Sequence, residues 1–336
     1  MHTTKKHFMA AAAACAALAL GVAACGDDDD DNGNGGGGGS DLSGTIRIDG
    51  SSTVAPLSEG ASDRFRDDNS GVRVTVGTSG TGGGFEKFCA GETDISDASR
   101  QIEEDEVAAC EENGVEFEEI VVANDALSVV VNPQNPVECL TVDQLKSIWN
   151  DGSDVSSWGD IEGLDADFDE ELQLFGPGTD SGTFDYFTEA INGEEGVQRS
   201  DYNNVGEDDN ATVTGVAGSP GGMGYFGFSF FEENQDQLKA LQIDNGEGCV
   251  APSAETAQDG SYAPLGRQLY IYPSAEALQR PEVQEFVRFY IENGDEITEQ
   301  AGFIGLTEEQ KQESLQKVEQ LAGAGGGGTE TTETTE

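Results

Sequence analysis

The chain has 336 residues, with 66 acidic and 16 basic side chains and a formal charge of −50. Such a charge excludes nucleic acid as a partner, because binding a phosphate backbone needs cationic neutralisation. It also repels anions at long range, so any anion site must work through local donors.

Lys5 and Lys6 precede an apolar stretch at 8–24, followed by Cys25. This is a secretory signal peptide (1–24), too short for a membrane span. The tetrapeptide Val22-Ala23-Ala24-Cys25 resembles a bacterial lipobox. That resemblance implies cleavage before Cys25 and lipidation of its sulfur, which would anchor an exported chain at the outer face of the cytoplasmic membrane. Loss of Lys5 and Lys6 leaves 14 basic side chains against 66 acidic ones. The two histidines, His2 and His7, leave with the same leader. Without imidazole, Ser-His-Asp and Cys-His catalysis and His-ligated metal sites are excluded. Residues 25–41, with a run of five aspartates at 27–31 and a glycine run, form a solvated tether. The folded body should span 42–321, and the Gly/Thr/Glu tail at 322–336 should be disordered.

Within the body, short apolar runs alternate with helical patterns. Strands are expected at 45–48, 72–76, 93–96, 117–122, 127–131, 172–175 and 222–226. Helices are expected at 54–67, 85–90, 103–112, 141–149, 184–191, 281–292 and 307–321. Thr141, with Gln144 three residues later, supplies a capping-box signature. Segments 238–243 and 268–272 complete the body. The alternation argues for an α/β architecture with mostly parallel pairing, long enough for two lobes. Cys89, Cys110, Cys139 and Cys249 remain in the exported chain and allow three disulfide pairings. They contain no Cys-x-x-Cys spacing, so zinc is not expected, and no cofactor motif is present.

Three loops follow strands and lead into helices. They are Gly50-Ser51-Ser52-Thr53, Gly77-Thr78-Ser79-Gly80-Thr81-Gly82 and Gly178-Thr179-Asp180-Ser181-Gly182-Thr183. A strand–loop–helix junction aims free N–H groups and the positive end of a helix dipole at whatever sits above it. Glycine permits close approach, and Ser or Thr adds a hydroxyl. Any one such loop is also an ordinary helix cap. Three converging would make an oxyanion cage of neutral donors. None is a P-loop or a dinucleotide fingerprint.

These residues resemble the phosphate-binding protein of the bacterial phosphate ABC transporter. Ile48-Asp49-Gly50-Ser51-Ser52-Thr53-Val54 looks like that family's first binding loop, and residues 77–84 like its second. Asp94-Ile95-Ser96-Asp97-Ala98-Ser99-Arg100 resembles the third, and Gly176-Pro177-Gly178-Thr179-Asp180-Ser181-Gly182-Thr183-Phe184 the fourth. The resemblance implies a two-lobed periplasmic-binding-protein fold, type II-like, with the ligand in the interlobe cleft. Lobe one would be 42–127 plus 262–321, and lobe two 128–261. It implies a monomer that captures inorganic phosphate and docks on a membrane permease. With those lobes, the pairings Cys89–Cys110 and Cys139–Cys249 would each stay within one lobe. Phosphate contacts would come from Ser52, Thr53, Val54, Ser79, Ser99, Ser181, Gly182 and Thr183, with Arg100 as the cation.

Two positions depart from the family pattern. Pro177 stands where many relatives carry an arginine, and Ser99 where some carry an aspartate that accepts the ligand's proton. Asp180 is the candidate acceptor in its place, and is equally read as a helix cap. Arg267 is read either as a site residue or as a tie between lobes through a carboxylate. Another tetrahedral oxyanion such as sulfate is the alternative ligand. A secreted phosphoester hydrolase would need a base for Ser181, or a metal, and no motif supplies either.

Overall fold

The structure, a computed structural model, describes residues 42–324. The expected signal peptide, Cys25, the tether and the tail beyond residue 324 lie outside the described residues.

Alternating apolar residues build the first sheet. Ile46 and Ile48 of β1 (Gly44–Gly50) are buried, and so is Val72 of β2 (Val72–Gly77). β1 pairs in parallel with β2 and with β3 (Ile95–Ala98). The crossovers are α1 (Ala55–Asp68), which carries a proline in its first turn, and α2 (Thr81–Cys89). α2 starts four residues earlier than its expected first residue, because glycines 82–84 are helical. The reason is close packing: a Cβ on Gly84 would lie 2.5 Å from Gly50 Cα. α3 (Glu104–Asn113) begins with a capping box between Glu103 and Glu106.

The chain then runs through β4 (Ile120–Val131), a single strand where the sequence suggested two. Asn124 and Asp125 interrupt the apolar run, but both are buried with partners. Asn124 Nδ2 donates to the Gly305 carbonyl at 3.1 Å, and Asp125 accepts from Arg267 at 3.2 Å. Phe117 lies outside the strand in an isolated bridge to Ser274.

Beyond β4 come β5 (Cys139–Thr141), α4 (Val142–Trp149), β6 (Gln173–Gly176) and α5 (Gly182–Phe187). α5 continues as a π turn over Thr188–Asn192. Next are β7 (Asn203–Asn204), α6 (Asp209–Gly218), β8 (Gly222–Gly227) and α7 (Phe228–Asn234). β9 (Lys239–Ala240), β10 (Gln242–Asp244), β11 (Cys249–Val250) and α8 (Ala254–Gln258) follow. The chain returns along β12 (Gly266–Pro273) and ends with α9 (Pro281–Glu292), α10 (Gly294–Ala301) and α11 (Glu308–Ala324). α11 passes the expected end of the body at residue 321.

The main sheet has the order β2-β1-β3-β12-β4-β8-β6-β7, with β9 also on β4, and β11-β10-β5 form a smaller sheet. Its pairing is mixed: β12 and β4 run antiparallel to their neighbours in the middle of the sheet. The first half of β4 pairs with β12 and the second half with β8, so this strand carries the chain from one core to the other. One core gathers Ile46, Leu57, Phe65, Ile271 and Phe286. Another gathers Trp149, Trp158, Phe187 and Tyr225, with the rings of Phe187 and Tyr225 stacked at 3.8 Å.

Cys89 is bonded to Cys110, joining α2 to α3, and Cys139 to Cys249, joining β5 to β11. The sequence separations are 21 and 110 residues. Chain entropy makes the longer closure the stronger constraint on the unfolded state. Replacing Cys139 and Cys249 together by serine should cost about 4–5 kcal/mol, and Cys89 with Cys110 about 3 kcal/mol. Urea unfolding of the two double variants measures this. A larger loss from the shorter loop would contradict the entropic account.

Candidate functional site

The first loop is fixed from below by β3. Ser51 N–H donates to the Asp97 carbonyl at 2.9 Å, and Thr53 N–H donates to Ser51 Oγ at 3.2 Å. Gly50 has φ +150°, and a Cβ there would fall 2.0 Å from the Asp97 carbonyl oxygen. Only glycine lets the backbone pass so close. Ser52 is exposed, Thr53 half-buried and Val54 fully buried at the start of α1.

The second loop is held by Asp49. Its carboxylate accepts from the Ser79 N–H at 3.1 Å, from the Ser79 hydroxyl and from Lys87 Nζ at 2.7 Å. Burial pushes the Asp49 carboxyl up, but the bonds from Lys87 and Ser79 outweigh it and hold it below the usual carboxylate range. Both polar groups of Ser79 are therefore engaged within the protein. Ser99 is tied to the same region, its N–H donating to Thr81 Oγ1 at 3.2 Å. Arg100 is spent on α3: its two terminal nitrogens donate to Glu106 at 2.8 Å each. Its Nε lies 3.3 Å from Glu103.

The fourth loop starts α5. Ser181 is buried at the N-cap, with Gly182 and Thr183 beginning the helix. Asp180 is exposed and lines neither of the cavities described next.

Two cavities meet at Ser52 and Thr53. One, about 430 Å³, is lined by Ser52, Thr53, Ser79, Thr81, Ser99 and Arg100, and across from them by Asp185, Tyr186, Glu189 and Arg267. The other, about 370 Å³, is lined by Ser52, Thr53, Asp125, Ser181, Gly182 and Thr183, among others. The first and fourth loops touch: a Cβ on Gly182 would lie 3.3 Å from Thr53 Oγ1. The structure thus brings Ser52, Thr53, Ser79, Ser99, Arg100, Ser181, Gly182 and Thr183 to one region. A larger cavity, about 650 Å³, shares none of these residues; it contains Asp94, paired with Arg47 and Arg280.

Sequence reasoning passed over Asp125 and Tyr186 and left Arg267 undecided. Arg267 Nε donates to Asp125 at 3.2 Å, Nη2 donates to Thr53 Oγ1 at 3.3 Å, and the guanidinium lies 3.4 Å from the centroid of the Tyr186 ring. Burial raises the Asp125 carboxyl, and the Arg267 charge opposes that rise. The available signal for Asp125 was a charge inside an otherwise apolar run. Among the described residues no cluster of three or more His, Cys, Asp or Glu could hold a metal.

The sequence model of the PBP superfamily domain matches residues 36–293. The phosphate-binding protein PstS of Staphylococcus saprophyticus is 37% identical over 283 residues, 83% of this chain and 86% of that one. The chain belongs to the PBP superfamily, in the family of the PstS proteins. Protein SphX of Synechococcus elongatus is 44% identical over 264 residues, 78% of this chain and 77% of that one. The crystal structure of a possible phosphate binding protein from Planctomyces limnophilus superposes with a TM-score of 0.79 at 45% identity, covering 83% of this chain and 99% of that one. An ABC-type phosphate transport receptor from Vibrio cholerae shares the fold, with a TM-score of 0.63 at 20% identity over 78% of this chain and 99% of that one.

Beneath the first loop, Asp97 is completely buried and accepts from Ser58 Oγ at 2.9 Å. Burial pushes its carboxyl up to about 8; the Ser58 bond opposes this and the nearby Asp49 charge adds to it. The native state then keeps a proton that the unfolded chain releases near pH 4. This contribution to stability is complete below about pH 4 and is lost as pH rises through about 8. Asp97→Asn should flatten the fall in urea midpoint between pH 4.5 and 8.5. A slope equal to the parent's would show that Asp97 does not hold the proton.

Proposed function

We propose that this protein is an exported receptor that captures inorganic phosphate between its first and fourth loops and hands it to an ABC permease. The contact between Gly182 and Thr53 carries the reading. It sets two helix starts, remote in sequence, against each other with hydroxyl and N–H donors, the arrangement an oxyanion needs. The names of the relatives point the same way. Phosphate in the crevice would replace water hydrogen bonds with fixed donors in a site that excludes solvent.

In this proposal residues 42–127 with 262–321 form one lobe and residues 128–261 the other. The lobes move about the crossing points in β4 and β12, as hinge closure does in binding proteins of this kind. Thr53, Val54, Ser181, Gly182 and Thr183 form the cage, with Ser52 at its edge. Ser79 and Ser99 shape the wall. The protein acts as a monomer and performs no reaction on its ligand. Lipid on Cys25 would hold it at the outer face of the cytoplasmic membrane.

The purified mature protein should bind one phosphate in calorimetry and prefer it to sulfate. Gly182→Val should weaken phosphate at least tenfold while circular dichroism stays unchanged, because a Cβ alone would sit 3.3 Å from Thr53 Oγ1 and valine adds two methyls. Parental affinity in a folded Gly182→Val protein would remove the fourth loop from the site.

A further inference from the structure

Two cations line the cavity at the first loop, Arg100 and Arg267. Their surroundings differ. Arg100 is neutralised by Glu106 in a bidentate pair, with Glu103 beside it and the Gln101 carbonyl accepting at 3.0 Å. Glu106 also accepts from the Glu103 N–H, so drawing Arg100 away would disturb the cap of α3. The terminal edge of Arg100, the one that would grip an oxyanion end-on, is taken by Glu106, and its Nε faces Glu103.

Arg267 is held differently. Asp125 engages Nε only, and Nη2 reaches Thr53 Oγ1. Among the described residues Nη1 makes no hydrogen bond. The Tyr186 ring covers one face of the guanidinium, and the Tyr186 hydroxyl is itself fixed, donating to the Pro264 carbonyl at 3.0 Å. Tyr186 belongs to α5, the helix that begins with the fourth loop, and Thr53 ends the first. The guanidinium therefore spans the two loops, with its side edge on Asp125 and its terminal edge at the loop hydroxyl. A planar fork held at one edge and stacked on one face loses little further freedom when it meets an oxyanion.

We infer that Arg267 is the cationic donor to the bound anion, positioned by Asp125 and Tyr186. The inference rests on the phosphate-binding reading and assigns its charge. Arg100 then shapes the wall and donates nothing to the ligand. The pair with Asp125 is neutral overall. An anion at the terminal edge lies away from the Nε edge that Asp125 holds.

Removing Arg267 alone would strand a buried carboxylate, which could unfold the protein. The test therefore uses the double variant Arg267→Gln/Asp125→Asn beside Arg100→Gln, with calorimetry of inorganic phosphate on the mature chain at pH 5.5 and 8.5. The double variant should bind at least tenfold more weakly at pH 8.5, and Arg100→Gln, shown folded by circular dichroism, should lose less affinity than the double variant. The gain in affinity on passing from monoanion to dianion should shrink in the double variant and persist in Arg100→Gln. A loss of equal factor at both pH values would mark Arg267 as merely structural and overturn the inference. So would a tenfold loss confined to Arg100→Gln. Either result leaves the phosphate reading intact. Failure of the parent to bind phosphate would overturn both. Arg267→Lys retains the charge without the fork, and full parental affinity there would also refute the planar contact.

Discussion

Helix α5 begins with backbone N–H groups that have no partner inside the helix, and the fold holds that start against the first loop, whose Thr53 hydroxyl lies at the entry to α1. The rest of the structure serves that juxtaposition. β1 ends at Gly50, where the absence of a side chain lets the first loop lie on the Asp97 carbonyl. β4 and β12 run side by side and carry the chain between the cores, which sets the distance between the loops. The glycine at 182 keeps that distance short.

Charge makes neutral donors the natural choice. The walls of the cavity at Thr53 include Glu103, Asp185, Glu189 and Glu195. The Asp185 carboxyl is pushed up by burial and then by the neighbouring Glu195. A phosphate ion approaching this mouth meets repulsion, screened over roughly 8 Å at physiological ionic strength. Attraction must come from short, oriented contacts inside. Hydroxyls, helix N–H groups and one stacked guanidinium meet that need without adding mobile positive charge. Much of the chain's scarce basic complement is occupied elsewhere: Lys87 on Asp49, Arg47 and Arg280 on Asp94, Arg100 on Glu106.

Much of the fold was legible where periodicity was clean. β1, β2, α1 and α9 follow from apolar spacing and from proline in the first helical turn. β4 was harder, because Asn124 and Asp125 read as a break until their buried partners are known. α6 is rich in glycine, threonine and alanine and has no strong stripe; it is helical because Thr212, Val213 and Val216 are buried where it packs on β6 and β8. At the site, the loops carried their own signature in Gly, Ser and Thr. The identity of the engaged cation did not, because Arg100 and Arg267 look alike in sequence. Their carboxylate partners, six residues away in one case and 142 in the other, separate them only in three dimensions.

Arsenate has the shape and protonation of phosphate and scatters X-rays anomalously, so it can mark where a tetrahedral anion binds. Crystals of the mature protein grown with arsenate should show one strong anomalous peak between the two helix starts, within hydrogen-bond distance of Thr53 and of Gly182 or Thr183. A peak in the cavity around Asp94, or one touching a single loop with the other withdrawn, would contradict the account.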